Sequence, residues 1–266
     1  MSEHSTSDIR ILGGRQVDHL LAGREIEIIR AVREAYLTHH RGGTSLPHSI
    51  FLRFPGAVKN RIIGLPAFLD GAQPVAGMKW IASFPGNLEL GLSRASAVMI
   101  LNSCATGRPV AIVEASIISA RRTAASAALA ALELTSGQPA IEEVGLIGTG
   151  LINLETSRFL AASQPSVQRF VVFDLDRPRA ERFAAVLSES GAGLEAEVAP
   201  SLPSVLERCR LIAFATTAAE PHVSDLSPCP PGATLLHTSL RDLSAGVVLR
   251  ADNVVDDVDH VCREGT

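Results

Sequence analysis

The alternation of apolar and polar positions changes character along the chain. Between Glu25 and His40 the apolar residues Ile28, Ile29, Val32, Ala35, Tyr36 and Leu37 recur close to a helical period. Gly42-Gly43 then supplies the stop that glycine commonly provides. Short segments of β character follow at 49–54, 61–68, 76–84, 98–102 and 110–114, separated by clusters such as Phe54-Pro55-Gly56 and Phe84-Pro85-Gly86-Asn87. The pattern predicts a mostly antiparallel sheet carrying one leading helix. An alanine-rich stretch, 116–135, predicts a long helix, because alanine is the best helix former. Ser136-Gly137-Gln138-Pro139 ends it. Beyond Pro139 the pattern alternates: strand 144–147, helix 151–162, strand 170–173, helix 177–189, then buried strands at 211–215 and 234–237. Strands alternating with helices imply βαβ units and a parallel sheet.

Composition narrows the function classes. Of 266 residues, 46% are hydrophobic and 20% charged, which suits a globular chain and not a disordered one. The 24 Lys+Arg against 28 Asp+Glu give a net charge of −4, with no basic excess to favour nucleic acid. No apolar run approaches the ~20 residues a bilayer requires. The polar start, Met1 to Arg10, lacks the hydrophobic stretch of a signal peptide. Cys104, Cys209, Cys229 and Cys262 stand alone with no zinc spacing, so reduced thiols in the cytoplasm are expected.

Gly148-Thr149-Gly150 joins the end of one predicted strand to the opening of a helix. A glycine there permits a tight turn, and a second lets backbone approach a pyrophosphate lying on the helix N-terminus. The third fingerprint position is Asn153, not glycine or alanine. Asp174 ends the next strand 24 residues beyond Gly150, near the position of a ribose-binding acid, which favours NAD over NADP; Arg177 tempers that preference. The expected fold is therefore α/β, with a Rossmann-type parallel-sheet domain over residues 121–266 preceded by a smaller α+β domain over 1–120.

Several charges interrupt otherwise apolar or strand-like patterns: Arg53, Lys79, Arg122 and Asp242. The cations together suit an acidic small molecule, since arginine's fork matches a carboxylate; taken singly, each also fits a solvated face. Asp242 follows the last buried strand, where ligands bind in open α/β sheets. It suits a general acid/base beside a nicotinamide and equally a turn-capping residue. His237, the other titratable group at that strand end, also fits a satisfied core histidine. No His/Asp/Glu metal cluster and no nucleophile elbow is present.

The stretches Gly77-Met78-Lys79-Trp80, Phe84-Pro85-Gly86-Asn87, Gly91-Leu92, Thr106-Gly107-Arg108-Pro109, Arg122-Thr123-Ala124-Ala125 and Gly148-Thr149-Gly150 resemble, in order over nearly the whole chain, the ornithine cyclodeaminase/mu-crystallin family. Lys79 to Asn87, Gly148 to Asn153, Ser239-Leu240-Arg241-Asp242 and Asn253 to Val258 are similar to its branch forming 2,3-diaminopropionate for siderophores and related products. The resemblance implies an NAD-dependent oxidative cleavage of N-(2-amino-2-carboxyethyl)-L-glutamate, an amino-acid-like substrate, in a homodimer formed through the first domain. It further implies that Arg53, Lys79 and Arg122 hold substrate carboxylate, and that Asp242, with Lys79, serves the chemistry. The residues expected at the cofactor are Gly148, Thr149, Gly150, Leu151, Ile152, Asp174, Thr216, Thr238 and Ser239. Gly91-Leu92-Ser93-Arg94 departs from the cyclodeaminase pattern and adds Arg94 as a candidate cation. Family members usually continue some tens of residues beyond the equivalent of Gly265-Thr266, so a nucleotide domain cut short after a strand at Val254-Val255 is expected. A cyclodeaminase or imine reductase of the same fold, and a non-catalytic nucleotide binder, remain the competing readings.

Overall fold

The computed structural model describes residues 8–189 and 193–263. The chain divides into two compact units, one comprising residues 1–24 and 31–120, the other 25–30 and 121–266.

The first unit is built on β1 (Arg10–Leu12), α1 (Gly14–Leu21), α2 (Glu25–His40), β2 (Thr44–Ser45), β3 (Ile50–Arg53), β4 (Arg61–Leu69), β5 (Val75–Ser83), a 3-10 helix (Pro85–Leu90), β6 (Ala95–Asn102) and β7 (Pro109–Glu114), with the start of α3 (Ser116–Leu134) closing it. Seven strands form one sheet in the order β1-β7-β6-β5-β4-β2, with β3 also on β4. All pairings are antiparallel except β1 with β7. Close packing of β5 on β6 requires glycine at Gly77, where a Cβ would stand 2.3 Å from the Ile100 carbonyl oxygen. Register sets Arg53 opposite Arg61, Arg61 opposite Ser83, and Leu65 opposite Lys79. Side chains alternate along a strand, so Arg53, Arg61 and Lys79 share one face of this sheet.

The second unit runs from α3 through β8 (Glu143–Ile147), α4 (Leu151–Ser163), β9 (Arg169–Phe173), α5 (Arg177–Ser188), β10 (Glu195–Val198), α6 (Leu202–Arg208), β11 (Leu211–Phe214) and β12 (Thr234–His237) to α7 (Ala245–Val248) and α8 (Val258–Arg263). The sheet order is β10-β9-β8-β11-β12, every pair parallel. Strand addition thus reverses between β8 and β11, the switch point at which doubly wound sheets bind ligands. The core is apolar on both faces, as crossover helices demand. Phe159, Phe170, Leu146, Ile212 and Phe214 are buried to 1% exposure or less. Truncating one such phenylalanine to alanine costs ~3–5 kcal/mol.

The α/β class and the Rossmann-type sheet stand as the pattern predicts. The strand expected at Val254-Val255 does not form. Asn253 donates through Nδ2 to the carbonyls of Val248 (2.7 Å) and Ala251 (2.9 Å), turning the chain at the end of α7. Val254 is 70% exposed, and among the described residues the parallel sheet ends at β12.

Candidate active site

In the second unit β8 delivers Gly148-Thr149-Gly150 to the N-terminus of α4. Gly148 adopts φ +89, a left-handed conformation, and a Cβ there would lie 2.6 Å from the Ala215 carbonyl oxygen. Only glycine passes between the ends of β8 and β11. Gly150 differs. Its φ of −93 suits any residue, and the nearest atom to a Cβ would be Arg179 Nη2 at 3.9 Å. Nothing inside the protein requires glycine at Gly150. Its bare backbone instead keeps open the approach to α4, whose first N–H groups lack intrahelical acceptors. A cradle of this kind fits a dinucleotide pyrophosphate.

Asn153 replaces the third glycine with a different solution. Its fully buried carboxamide donates to the carbonyls of Ile147 (2.9 Å) and Gly148 (2.7 Å), tying α4 to the end of β8. The carbonyls released by the tight turn are thereby satisfied.

Asp174, just beyond β9, accepts through Oδ2 from the Thr149 backbone N–H (2.9 Å) and hydroxyl (2.6 Å), and through Oδ1 from the Asp176 N–H (3.0 Å). Partial burial opposes its charge, but these bonds and the nearby Arg179 cation hold the carboxyl below its ordinary range. Three of roughly four acceptor positions are filled, leaving one for a ribose hydroxyl. Arg177 is turned away, pairing with Glu181 at 3.0 Å on the surface of α5. Arg179 is the guanidinium beside the glycine turn, and the sequence reading did not single it out.

The loop after β12 gathers a polar cluster around Asp242, which is fully buried. The Thr216 and Ser239 hydroxyls donate to Oδ1 and Oδ2; His222 Nε2 lies 3.0 Å from Oδ1, and His237 Nε2 lies 3.1 Å from Oδ2 and accepts from the Asp242 backbone N–H at 3.2 Å. Burial works against the carboxylate, but the hydrogen bonds with His237, Ser239, Thr216 and His222 outweigh it and hold the group far below its usual range. The carboxylate thereby ties two histidines and two hydroxyl side chains into one cluster. The His222 and His237 side chains remain 38% and 21% exposed. The loop is strained at Leu240, φ +71, where a branched side chain is costly. Thr238 donates to the Phe214 carbonyl at 2.6 Å, joining the ends of β11 and β12. The hydroxyls of Thr216, Thr238 and Ser239 all donate to protein acceptors, and the Thr238 N–H likewise donates to the Phe214 carbonyl.

The expected substrate cations divide between the units. In the first unit Arg53 is exposed, its guanidinium 5.4 Å from the Phe51 ring centroid, and Lys79 Nζ donates to Ser119 Oγ at 3.3 Å. Arg94 is partly buried in the turn before β6. In the second unit Arg122 is exposed on α3, while its neighbour Arg121 turns inward to Glu155 at 3.6 Å. His222 and Arg61 escaped the sequence reading. His222 lies in no periodic element, although Arg61 was legible as a cation opening a strand.

Comparison with known proteins follows the same lines. A family model described as the ornithine cyclodeaminase/mu-crystallin family matches residues 16–259. The N-((2S)-2-amino-2-carboxyethyl)-L-glutamate dehydrogenase of Staphylococcus aureus is 27% identical over 233 residues, covering 86% of this chain and 68% of that protein. The crystal structure of CmnK superposes with a TM-score of 0.87 at 28% identity, over 97% of this chain and 77% of that one. An archaeal alanine dehydrogenase dimer with bound NAD does so with a TM-score of 0.72 at 26% identity, over 87% and 71%.

Proposed function

The chain belongs to the ornithine cyclodeaminase/mu-crystallin family, and we propose that this member oxidatively cleaves N-(2-amino-2-carboxyethyl)-L-glutamate with NAD, as a cytoplasmic homodimer in siderophore or related natural-product biosynthesis. It is an NAD-dependent oxidoreductase of amino-acid-like substrates. The observation that carries the cofactor is the turn at Gly148 and Gly150, one glycine demanded by the fold and the other only by a ligand. Similarity to the staphylococcal dehydrogenase, and the unpartnered Nε of Arg61 in the first unit, support the substrate.

Bound NAD would supply the hydride acceptor for oxidising the glutamate Cα–N bond to an imine. The chain's own residues do the rest. The α4 N-terminus and the backbone of Gly148 to Ile152 hold the pyrophosphate, and Asp174 takes a ribose hydroxyl through its remaining acceptor position. Arg53, Lys79, Arg94 and Arg122 bind carboxylates, which also lowers the electrostatic cost of holding the cations. Asp242 pins His222 and His237 at Nε2, and these rings take the proton lost from the secondary amine and then from the water that adds to the imine carbon. Returning one proton to nitrogen as the carbinolamine collapses releases 2,3-diaminopropionate and 2-oxoglutarate. One proton is released in the balance, with one NADH formed and one water consumed.

Initial rates of NADH formation with this substrate, alanine, proline and ornithine test the assignment. Turnover is expected with the first and at least ~100-fold lower kcat/KM with the others. Faster reaction with alanine, or ornithine consumed without NADH accumulating, would replace this reading by a simple amino-acid dehydrogenase or a cyclodeaminase.

A further inference from the structure

Arg53 and Arg61 face each other directly across the β3–β4 pair. Directly opposed residues in an antiparallel pair bring their Cβ atoms within about 4.5–5.5 Å, and like charges placed so are destabilising. No acidic side chain among the described residues pairs with either. Arg61 Nε is moreover shielded from solvent and has no hydrogen-bond partner, a condition that is costly for a buried donor. Arg94 joins them. Its chain is fixed by the Phe84 N–H donating to the Arg94 carbonyl at 2.9 Å, and Phe84 follows Ser83, the residue opposite Arg61 on β5. Burial, then the positive charge of Arg61, depress the Arg94 guanidinium below its ordinary value. Three guanidiniums at one edge of a sheet, unneutralised and one with a buried idle donor, are a standing cost to the folded chain. Anion binding removes that cost.

We propose that Arg61, together with Arg53 and Arg94, forms a subsite for a second carboxylate, which selects substrates carrying more than one. The proposal rests on the reading of an amino-acid-like substrate and adds the residue that discriminates among such molecules. Lys79 lies on the same face, paired with Leu65, four positions from Arg61 along β4. At ~3.3 Å per residue that is ~13 Å of backbone, a span that two long cationic side chains can close onto the ends of a five-carbon dicarboxylate. A monocarboxylate fills one end only.

The test is equilibrium binding of glutarate and propionate to the NAD-loaded full chain by calorimetry, which needs no turnover. Glutarate is expected to bind at least ~10-fold more tightly than propionate. Arg61→Ala should lose ~10-fold or more for glutarate and under ~2-fold for propionate and NAD, while the ligand-free variant melts no lower than the parent because like-charge repulsion is relieved. Arg61→Lys, which keeps charge and loses the fork, should recover only part of the affinity. If Arg61→Ala does not fold, Arg94→Gln carries the same expectation. Equal affinity for the two acids, or glutarate affinity unchanged in a folded variant, overturns the subsite. Selective glutarate binding without cleavage of the proposed substrate would leave the subsite standing and overturn the reaction.

Discussion

Gly148 is the residue on which the nucleotide turn depends. Alanine there would place a methyl 2.6 Å from the Ala215 carbonyl oxygen while retaining φ +89, so strain of ~1–3 kcal/mol is expected. A thermal melt should show that loss, and titration with NAD should show affinity reduced ~10-fold or more. Unchanged affinity would mean that the cofactor does not lie on this turn. Asp242 is expected to act through its histidines. Asp242→Asn exchanges a four-fold acceptor for a group that also donates, which should cost ~1–3 kcal/mol of stability and ~100-fold in turnover, with NAD affinity kept. Its pH profile distinguishes the roles: the fall in rate on the acid side should persist in Asp242→Asn. If the acid limb vanishes in Asp242→Asn, the carboxylate itself is the base. Loss of the limb in His237→Gln or His222→Gln would identify which ring takes the proton. The glycine turn and Asp174 could be read from spacing alone, whereas the saturation of Asp242 could not, since Thr216 and His222 reach it from 26 and 20 residues away.

At the scale of elements, periodicity located α2, α3 and the strands of both sheets because each carries a long or strongly apolar signal. It missed β1 and β2, which have three and two residues, passed over β10 and α6, whose apolar positions are few, and expected one leading helix where both α1 and α2 form. It also took Val254-Val255 for a strand, where Asn253 capping the α7 turn overrides β-branched propensity. α6 deserves its place through packing: a Cβ at Gly145 of β8 would meet Val205 Cγ1 at 2.5 Å and Cys209 Cβ at 3.3 Å. Burial, assisted by the Glu143 charge, pushes the Cys209 thiol up to about 12, so the helix end shields an inert thiol. A thiol reagent at neutral pH should therefore modify the exposed Cys104 and Cys262 rapidly and Cys209 only on unfolding. Mass mapping that finds Cys209 modified in the native protein would show that α6 opens from β8.

At the scale of the whole molecule, no helix among the described residues is long and apolar enough to cross a membrane. Acid sensitivity should come from the second unit. Asp174 and Asp242 are both held below their ordinary ranges, so the stability they contribute is fully present above the unfolded carboxylate value of about 4 and is lost as pH falls below it. Denaturant midpoints should be flat from about pH 5 to 7 and drop below about pH 4; in Asp242→Asn that drop should be shallower. Chemistry at this scale was legible mainly through the cations that interrupt apolar patterns, Arg53, Lys79 and Arg122, and through the glycine turn. Substrate identity was carried by resemblance and not by any spacing.

The most direct test of the account follows two isotopes through one reaction. N-(2-amino-2-carboxyethyl)-L-glutamate deuterated at the glutamate Cα is mixed with NAD and the protein in heavy-oxygen water, and the products are weighed by mass spectrometry. Deuterium in the NADH, heavy oxygen at the keto position of freshly formed 2-oxoglutarate, and the two products in equal amounts are the predicted result. Unlabelled NADH, deuterium washed into solvent, or cleavage without NADH would contradict hydride removal from that carbon and with it the proposed reaction.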